Sequence, residues 1–247
     1  TITTNATSDT ITIAATGSGA PTTAEYLTTA SNGTLSAEVV IPGLAGSPDI
    51  AGAGGAGASE EYDTATTGLT WSSAPDTEDS DTTVKSHLYV RYAGTTEIFG
   101  TKTWQPAGAF DARTKVAIAC ETNNNQNHQI GLHIQNSDNS NRTLVQLTIN
   151  PSTHATTINA FTYASGSYTQ RGSTWTMGHA TSDYVYLRTT RDGSNNISLW
   201  FSLNGINYQH IATQALTFTT DKIGFRVAGG AGGGAFNCVA DWLRTSV

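Results

Sequence analysis

Carboxylates are the first groups to test for chemistry in this chain, because a facing pair can divide the roles of acid and nucleophile across a substrate. Glu121 stands alone after the run Val116 to Cys120, Asp138, Asp183 and Asp192 fall at turns, and Glu60-Glu61-Tyr62-Asp63 sits where the texture of the chain changes. No E-x-D-x-x-E stretch is present, and no G-x-S-x-G elbow presents a nucleophilic serine. The expectation is that the chain is not an enzyme, with a glycoside hydrolase or lyase the least supported reading.

Metal and phosphate chemistry have weaker candidates. The acidic loop read at Asp76, Glu78, Asp79 and Asp81 gathers oxygen ligands of the kind calcium takes, although its spacing is not that of an EF-hand and a solvated acidic loop is the simpler reading. Apart from that calcium candidate, no cofactor is expected. His128 and His133 are five apart on an expected strand and so point to opposite faces. Gly52, Gly54 and Gly57 match a dinucleotide-binding pattern literally, but no buried strand precedes them and no amphipathic helix follows. They read as linker, and Gly229 to Gly234 as a turn.

Aromatics out of phase with the core form the most informative set. Tyr89, Tyr184, Tyr186 and Trp200 all fall opposite the apolar residues of their strands, with Arg91 and Arg188 alongside. On one flat face they would stack on sugar rings while arginines bond hydroxyls. Burial of that face by a second subunit or by residues 1–57 is the alternative. Trp175 belongs to a second candidate set, loops at 123–127, 138–141 and 163–175 in which amides and aromatics mix.

The elements that must position these residues are short strands. Tyr184 to Ile211 reads as three strands: Val185, Leu187 and Thr189, then Ile197, Leu199, Phe201 and Leu203, face inward, with two-residue turns at Asp192-Gly193 and Asn204-Gly205. Further strands are expected around Leu69 to Trp71, Leu88 to Tyr92, Ile98 to Trp104, Val116 to Glu121, Gln129 to Gln135, Leu144 to Asn150, Thr157 to Tyr163, Tyr168 to Thr174, Ile223 to Ala228 and Phe236 to Leu243. Helical periodicity is absent, so the fold class is all-β, an antiparallel sandwich or barrel. Cys120 and Cys238 fall in strands and read as buried free thiols rather than a disulfide framework.

With 247 residues the chain can bury a real core, and only 13% of it is charged. The net charge of −7 argues against a nucleic-acid partner, and no membrane-spanning run is present. The chain begins at Thr1 and its one methionine is Met177, which suggests a piece processed from a longer product. Residues 1–57 are threonine-rich and polar, lack the apolar mass for their own core, and close with the run AGAGGAGA.

Two resemblances follow from particular words. GAPTTAEYLTTASNGTLSAEVV, after TITTNATSDTITIAA, resembles segments of bacteriophage tail-fibre and virion appendage proteins, which implies intertwined homotrimers and attachment to other virion proteins through residues 1–57. YLRTTRDGSNNISLWFSLNGINYQHI and KIGFRVAGGAGGGAFNCVADWLR resemble the C-terminal half of concanavalin A-like jelly-roll domains, which implies that fold for residues 58–247. The expected function is a non-enzymatic appendage on the virion surface, a tail fibre, head fibre or decoration protein that engages host-surface polysaccharide. A purely structural decoration module is the alternative.

Overall fold

Period-two alternation becomes strand pairing throughout the second half of the expected architecture and much of what precedes it. The computed structural model describes residues 68–80, 87–121, 126–153, 155–177, 184–230 and 234–247, with 79 and 80 by backbone alone, and the backbone of four short strands nearer the N-terminus. The chain divides into two units, Thr1–Ala53 and Gly54–Val247. In the first, β1 (Ile2–Asn5) and β2 (Thr10–Ile13) form an antiparallel pair, and β3 (Tyr26–Thr28) runs parallel to β4 (Glu38–Val40). The glycine run 52–57 and the cluster Glu60 to Asp63 lie outside the described residues.

The second unit is a sandwich of two seven-stranded sheets with antiparallel pairing throughout. Its strands in chain order are β5 (Thr70–Trp71), β6 (Thr77–Ser80), β7 (Leu88–Tyr92), β8 (Glu97–Thr103), β9 (Phe110–Cys120), β10 (His128–Gln135) and β11 (Asn141–Asn150). They continue with β12 (Ala155–Ala164), β13 (Ser167–Met177), β14 (Val185–Arg191), β15 (Asn196–Ser202), β16 (Gln209–Ala215), β17 (Lys222–Ala228) and β18 (Phe236–Ser246). The first sheet has the order β13-β12-β11-β10-β17-β8-β5, and the second β16-β15-β14-β9-β18-β7-β6.

One phase of each strand fills the space between the sheets. Ile130, Leu132 and Ile134 of β10, Val145 and Leu147 of β11, and Ile223, Phe225 and Val227 of β17 meet Leu187 of β14, Leu199 of β15, Val116 of β9 and Phe236 of β18. Each such side chain, fully removed from water, contributes about 1.5–3 kcal/mol. Cys120 and Cys238 are free thiols, and burial pushes both above the ordinary thiol range.

Four local expectations need correction. The acidic stretch 77–80 is a strand, not a loop, paired with β7 from Thr77↔Arg91 to Ser80↔Leu88; a polar edge strand carries no apolar alternation by which to be read. The Asp192-Gly193 turn is a wider loop. Asp192 N–H donates to Asn196 O, the Asp192 carboxylate caps the Ser194 and Asn196 amides, and the left-handed residue is Asn195 (φ 62°) rather than the glycine. The Asn204-Gly205 connection is also longer than two residues, since β15 ends at Ser202 and β16 begins at Gln209; Leu203 therefore falls outside the strand and is 60% exposed. Residues 167–177, read in part as a binding loop, form the edge strand β13.

Curvature of the first sheet follows from one contact. The Tyr168 hydroxyl on β13 donates to Glu97 Oε2 on β8 at 2.6 Å. Five strand steps separate them, about 24 Å in a flat sheet, which is beyond the combined reach of the two side chains. The sheet must curl, and its outer face is concave.

Candidate functional site

Strands β8, β17, β10, β11 and β12 line the concave face, and their out-of-phase residues build a charged network. Glu97 is its centre. Arg226 Nε donates to Glu97 Oε2 at 2.7 Å, and Arg142 Nη1 donates to Glu97 Oε1 at 3.2 Å. Arg226 Nη1 also donates to the side-chain oxygens of Gln129 and Gln146, at 2.6 and 2.8 Å. The Arg142 guanidinium lies between the rings of Phe99 and Tyr163, 4.2 and 4.1 Å from their centroids. Burial and the bond to Glu97 push the Tyr168 phenol up to about 12. Beneath the network His133 is fully covered, its ring edge-on to Phe99 at 5.1 Å. Burial and the cations of Arg142 and Arg226 hold it neutral, with its pKa pushed down to about 3.

A cleft of about 420 Å³ opens beside this network, lined by Thr70, Trp71, Ser72, Glu97, Phe99, Thr101, Gln135, Asn139, Arg142 and Lys222. Gly100 lets Trp71 lie across β8, since a Cβ there would press into the indole at 2.7 Å. Three polar atoms of lining residues, Trp71 Nε1, Gln135 Oε1 and Arg142 Nε, are buried without a hydrogen-bond partner. Two donors and an acceptor thus stand uncommitted along the same cleft.

The outer face of the second sheet gathers most of the aromatics expected to act together. Register places Trp200 beside Arg188, and Tyr186 beside Lys115 and Ser202, while Tyr184 and Tyr89 meet around His87 at 6.1 and 6.4 Å between ring centroids. They do not form an open flat platform. Lys115 lies over Tyr184 at 4.2 Å and donates to Asp241 at 2.6 Å, and Trp200 packs edge-on to His210 at 4.7 Å with its Nε1–H on Thr190 Oγ1 at 3.3 Å. A bulge between Ala240 and Trp242 brings Asp241 to that lysine. Arg91 is tied to Glu121 by two bonds of 2.9 Å.

Trp175 is not part of either set. It sits on β13 opposite Ile158, in the inward phase, and packs on Phe201 at 5.3 Å, closing one edge of the sandwich. Of the calcium candidates, Asp76 immediately precedes β6, Glu78 and Asp79 lie within that strand, Asp79 by its backbone alone, and Asp81 lies outside the described residues. Among the described residues no three His, Cys, Asp or Glu side chains converge as metal ligands.

Glu97, Phe99, Arg142, Arg226 and Tyr168 were not singled out from the sequence. The signal was present in the same form as for Trp200, because Glu97 and Phe99 flank the inward Ile98 in the opposite phase. What pattern could not supply was the curl that brings donors from three other strands onto one carboxylate.

No known protein-family profile matches the chain, and no curated protein matches it in sequence. Solved structures do match its fold. The CBM2 module of the evolved Dit of phage J-1 of Lactobacillus casei BL23 is 8% identical, with a TM-score of 0.54 over 76% of this chain and 95% of that one. A functionally unknown protein from Saccharomyces cerevisiae is 14% identical, with a TM-score of 0.57 over 74% of this chain and all of that one. Bacillus licheniformis β-glucanase is 15% identical, with a TM-score of 0.50 over 78% of this chain and 99% of that one. The second unit is therefore a concanavalin A-like sandwich, a fold shared by carbohydrate-binding modules and glucanases.

Proposed function

We propose that the sandwich is a non-catalytic carbohydrate-binding module of a viral appendage, and that it takes a sugar chain in the cleft on the concave face. The observation that carries this reading is the set of three unpartnered groups there, Trp71 Nε1, Gln135 Oε1 and Arg142 Nε, beside the apolar ring of Phe99. Leaving such groups unmet costs about 1–3 kcal/mol each. Sugar hydroxyls both donate and accept, and so match the two donors and the acceptor, while the ring of the sugar rests on Phe99.

Glycoside cleavage is disfavoured by the same geometry. Among the described residues lining the cleft, Glu97 is the one carboxylate, and both its oxygens already accept bonds from Arg142, Arg226 and Tyr168. Hydrolysis by the usual routes needs a second carboxylate across the bond. The fold likeness to a phage module supports the appendage half of the proposal, alongside the resemblance of the N-terminal words.

Affinity electrophoresis of the full chain through gels containing neutral polysaccharides, mixed-linked and β-1,3-glucans among them, tests this directly. Retention that falls about tenfold or more in Phe99→Ala and Gln135→Leu, with both variants still folded by circular dichroism, is the expected result. Absence of retention, or retention unchanged in both variants, would count against it. Release of reducing sugar from any gel polysaccharide would favour an enzyme instead.

A further inference from the structure

Charge in this chain is segregated along its length. The first 84 residues carry eleven of the nineteen Asp and Glu and no Lys or Arg, so the remainder, with all twelve basic residues and eight acids, is positively charged. The overall net charge of −7 conceals this. Part of the surplus is laid out in one row on the outer face of the second sheet. Pairing sets Arg244, Arg113, Arg188, Trp200 and His210 side by side on β18, β9, β14, β15 and β16. Three guanidinium-bearing positions in succession span about 10 Å across the strands.

Such a row works against the sheet. Like charges directly opposite one another on neighbouring strands are destabilising, and here two such pairs adjoin. Asp111 offsets only part of this: Arg113 donates to it at 3.0 and 2.6 Å, and Arg188 at 3.0, 3.1 and 2.7 Å. One carboxylate for two guanidiniums leaves a net positive charge. The side chains are nonetheless held in place, with the Tyr208 ring against both Arg113 and Arg188, at 5.7 and 5.3 Å, and Trp242 against Arg244 at 4.6 Å. A neutral residue at Arg113 would relieve the repulsion without opening the core.

We propose that this row is a second binding site, separate from the cleft, for a carboxylate-bearing sugar chain: a polyuronate whose carboxylates engage the Arg113, Arg188 and Arg244 guanidiniums. Planar guanidinium forks match carboxylates in a bidentate manner, and their ordering on aromatic rings lowers the entropy lost on binding. A nucleic acid offers the same charge but also needs open aromatic faces for its bases. The rings here are occupied, Tyr184 by Lys115, Trp242 by Arg244 and Trp200 by His210, so the acidic sugar is the better fit.

Isothermal titration of the full chain with hexagalacturonate, at about 50 mM and about 300 mM salt, tests the site. Neutral cellohexaose and an oligo-dT strand run as parallel arms. The expected outcome is binding of hexagalacturonate that weakens with salt, with oligo-dT and cellohexaose weaker. That affinity should fall about tenfold or more in Arg113→Gln/Arg188→Gln and severalfold in Arg188→Lys, where charge is kept and the fork is lost, but stay unchanged in Phe99→Ala. Arg244→Gln leaves the Asp111 clamp intact and should also lose affinity, which keeps the proposal testable if the double variant fails to fold. No binding of hexagalacturonate, equal binding by folded arginine variants, or tighter binding of oligo-dT would overturn it.

Discussion

The outer faces of the two sheets both carry arginines set among aromatic rings, yet they handle charge in opposite ways. On the first sheet Arg142 and Arg226 are almost covered, their side chains 7% and 12% exposed, and both reach Glu97 within a network that also recruits Gln129, Gln146 and Tyr168. On the second, Arg113 is 43% exposed and shares Asp111 with Arg188. A cation taken out of water must find its counter-charge within the fold, because an uncompensated buried charge costs several kcal/mol. A cation left half in water tolerates imbalance, and can therefore be kept for a partner. The curl of the first sheet is what creates this difference.

The comparison breaks most easily at the two carboxylates. Glu97→Gln should cost about 3–4 kcal/mol, since it strands two nearly covered guanidiniums. Denaturant unfolding checks this. Asp111→Asn should cost less, about 2 kcal/mol, because Arg113 is 43% exposed and screened by water, while Arg188 at 25% is only partly so. It should also raise hexagalacturonate affinity severalfold by removing a competing carboxylate. Equal losses in the two variants would erase the distinction between the faces.

Acid should reveal the covered face next. The unfolded chain protonates His133 near 6.5, whereas the folded chain resists until about pH 3. Within that window the unfolded state binds more protons, so the contribution is complete above about pH 6.5 and declines as pH falls towards 3, by on the order of 5 kcal/mol. His133→Leu should flatten that part of the stability profile. His128, also held low by burial, contributes in the same direction and is unaffected by that change. On the second face, burial raises the Asp111 pKa but the bonds from Arg113 and Arg188 outweigh it, so its contribution disappears only at lower pH, below the ordinary carboxylate range.

The smallest effect is expected at Arg91→Ala, where the bond to Glu121 lies in water and the melting temperature should not move measurably. A clear drop there would mean that this part of the second face is closed over by another chain.

Much of this architecture was legible because inward residues recur every second position. The phase of Tyr184, Tyr186, Arg188 and Trp200 also located them on one face correctly, since alternation survives any choice of sheet order. Three things were not legible. β6 is polar on an edge and pairs through its backbone, so Thr77 to Ser80 looked like a loop. The closing residue of the β14–β15 turn is Asn195, an αL position that the adjacent Asp192-Gly193 pair obscured. The Glu97 network depends on curvature accumulated over five strand steps, and no window of sequence contains it.

The measurement that bears most directly on the account is a paired titration. Phe99→Ala and Arg113→Gln/Arg188→Gln would each be tested against a neutral polysaccharide retained by the unaltered chain and against hexagalacturonate. Two independent sites predict that the first variant loses only the neutral chain and the second only the acidic one. If either variant lost both ligands while still folded, or if neither lost any, the division between a covered, balanced face and an exposed, cationic one would not describe how this protein binds.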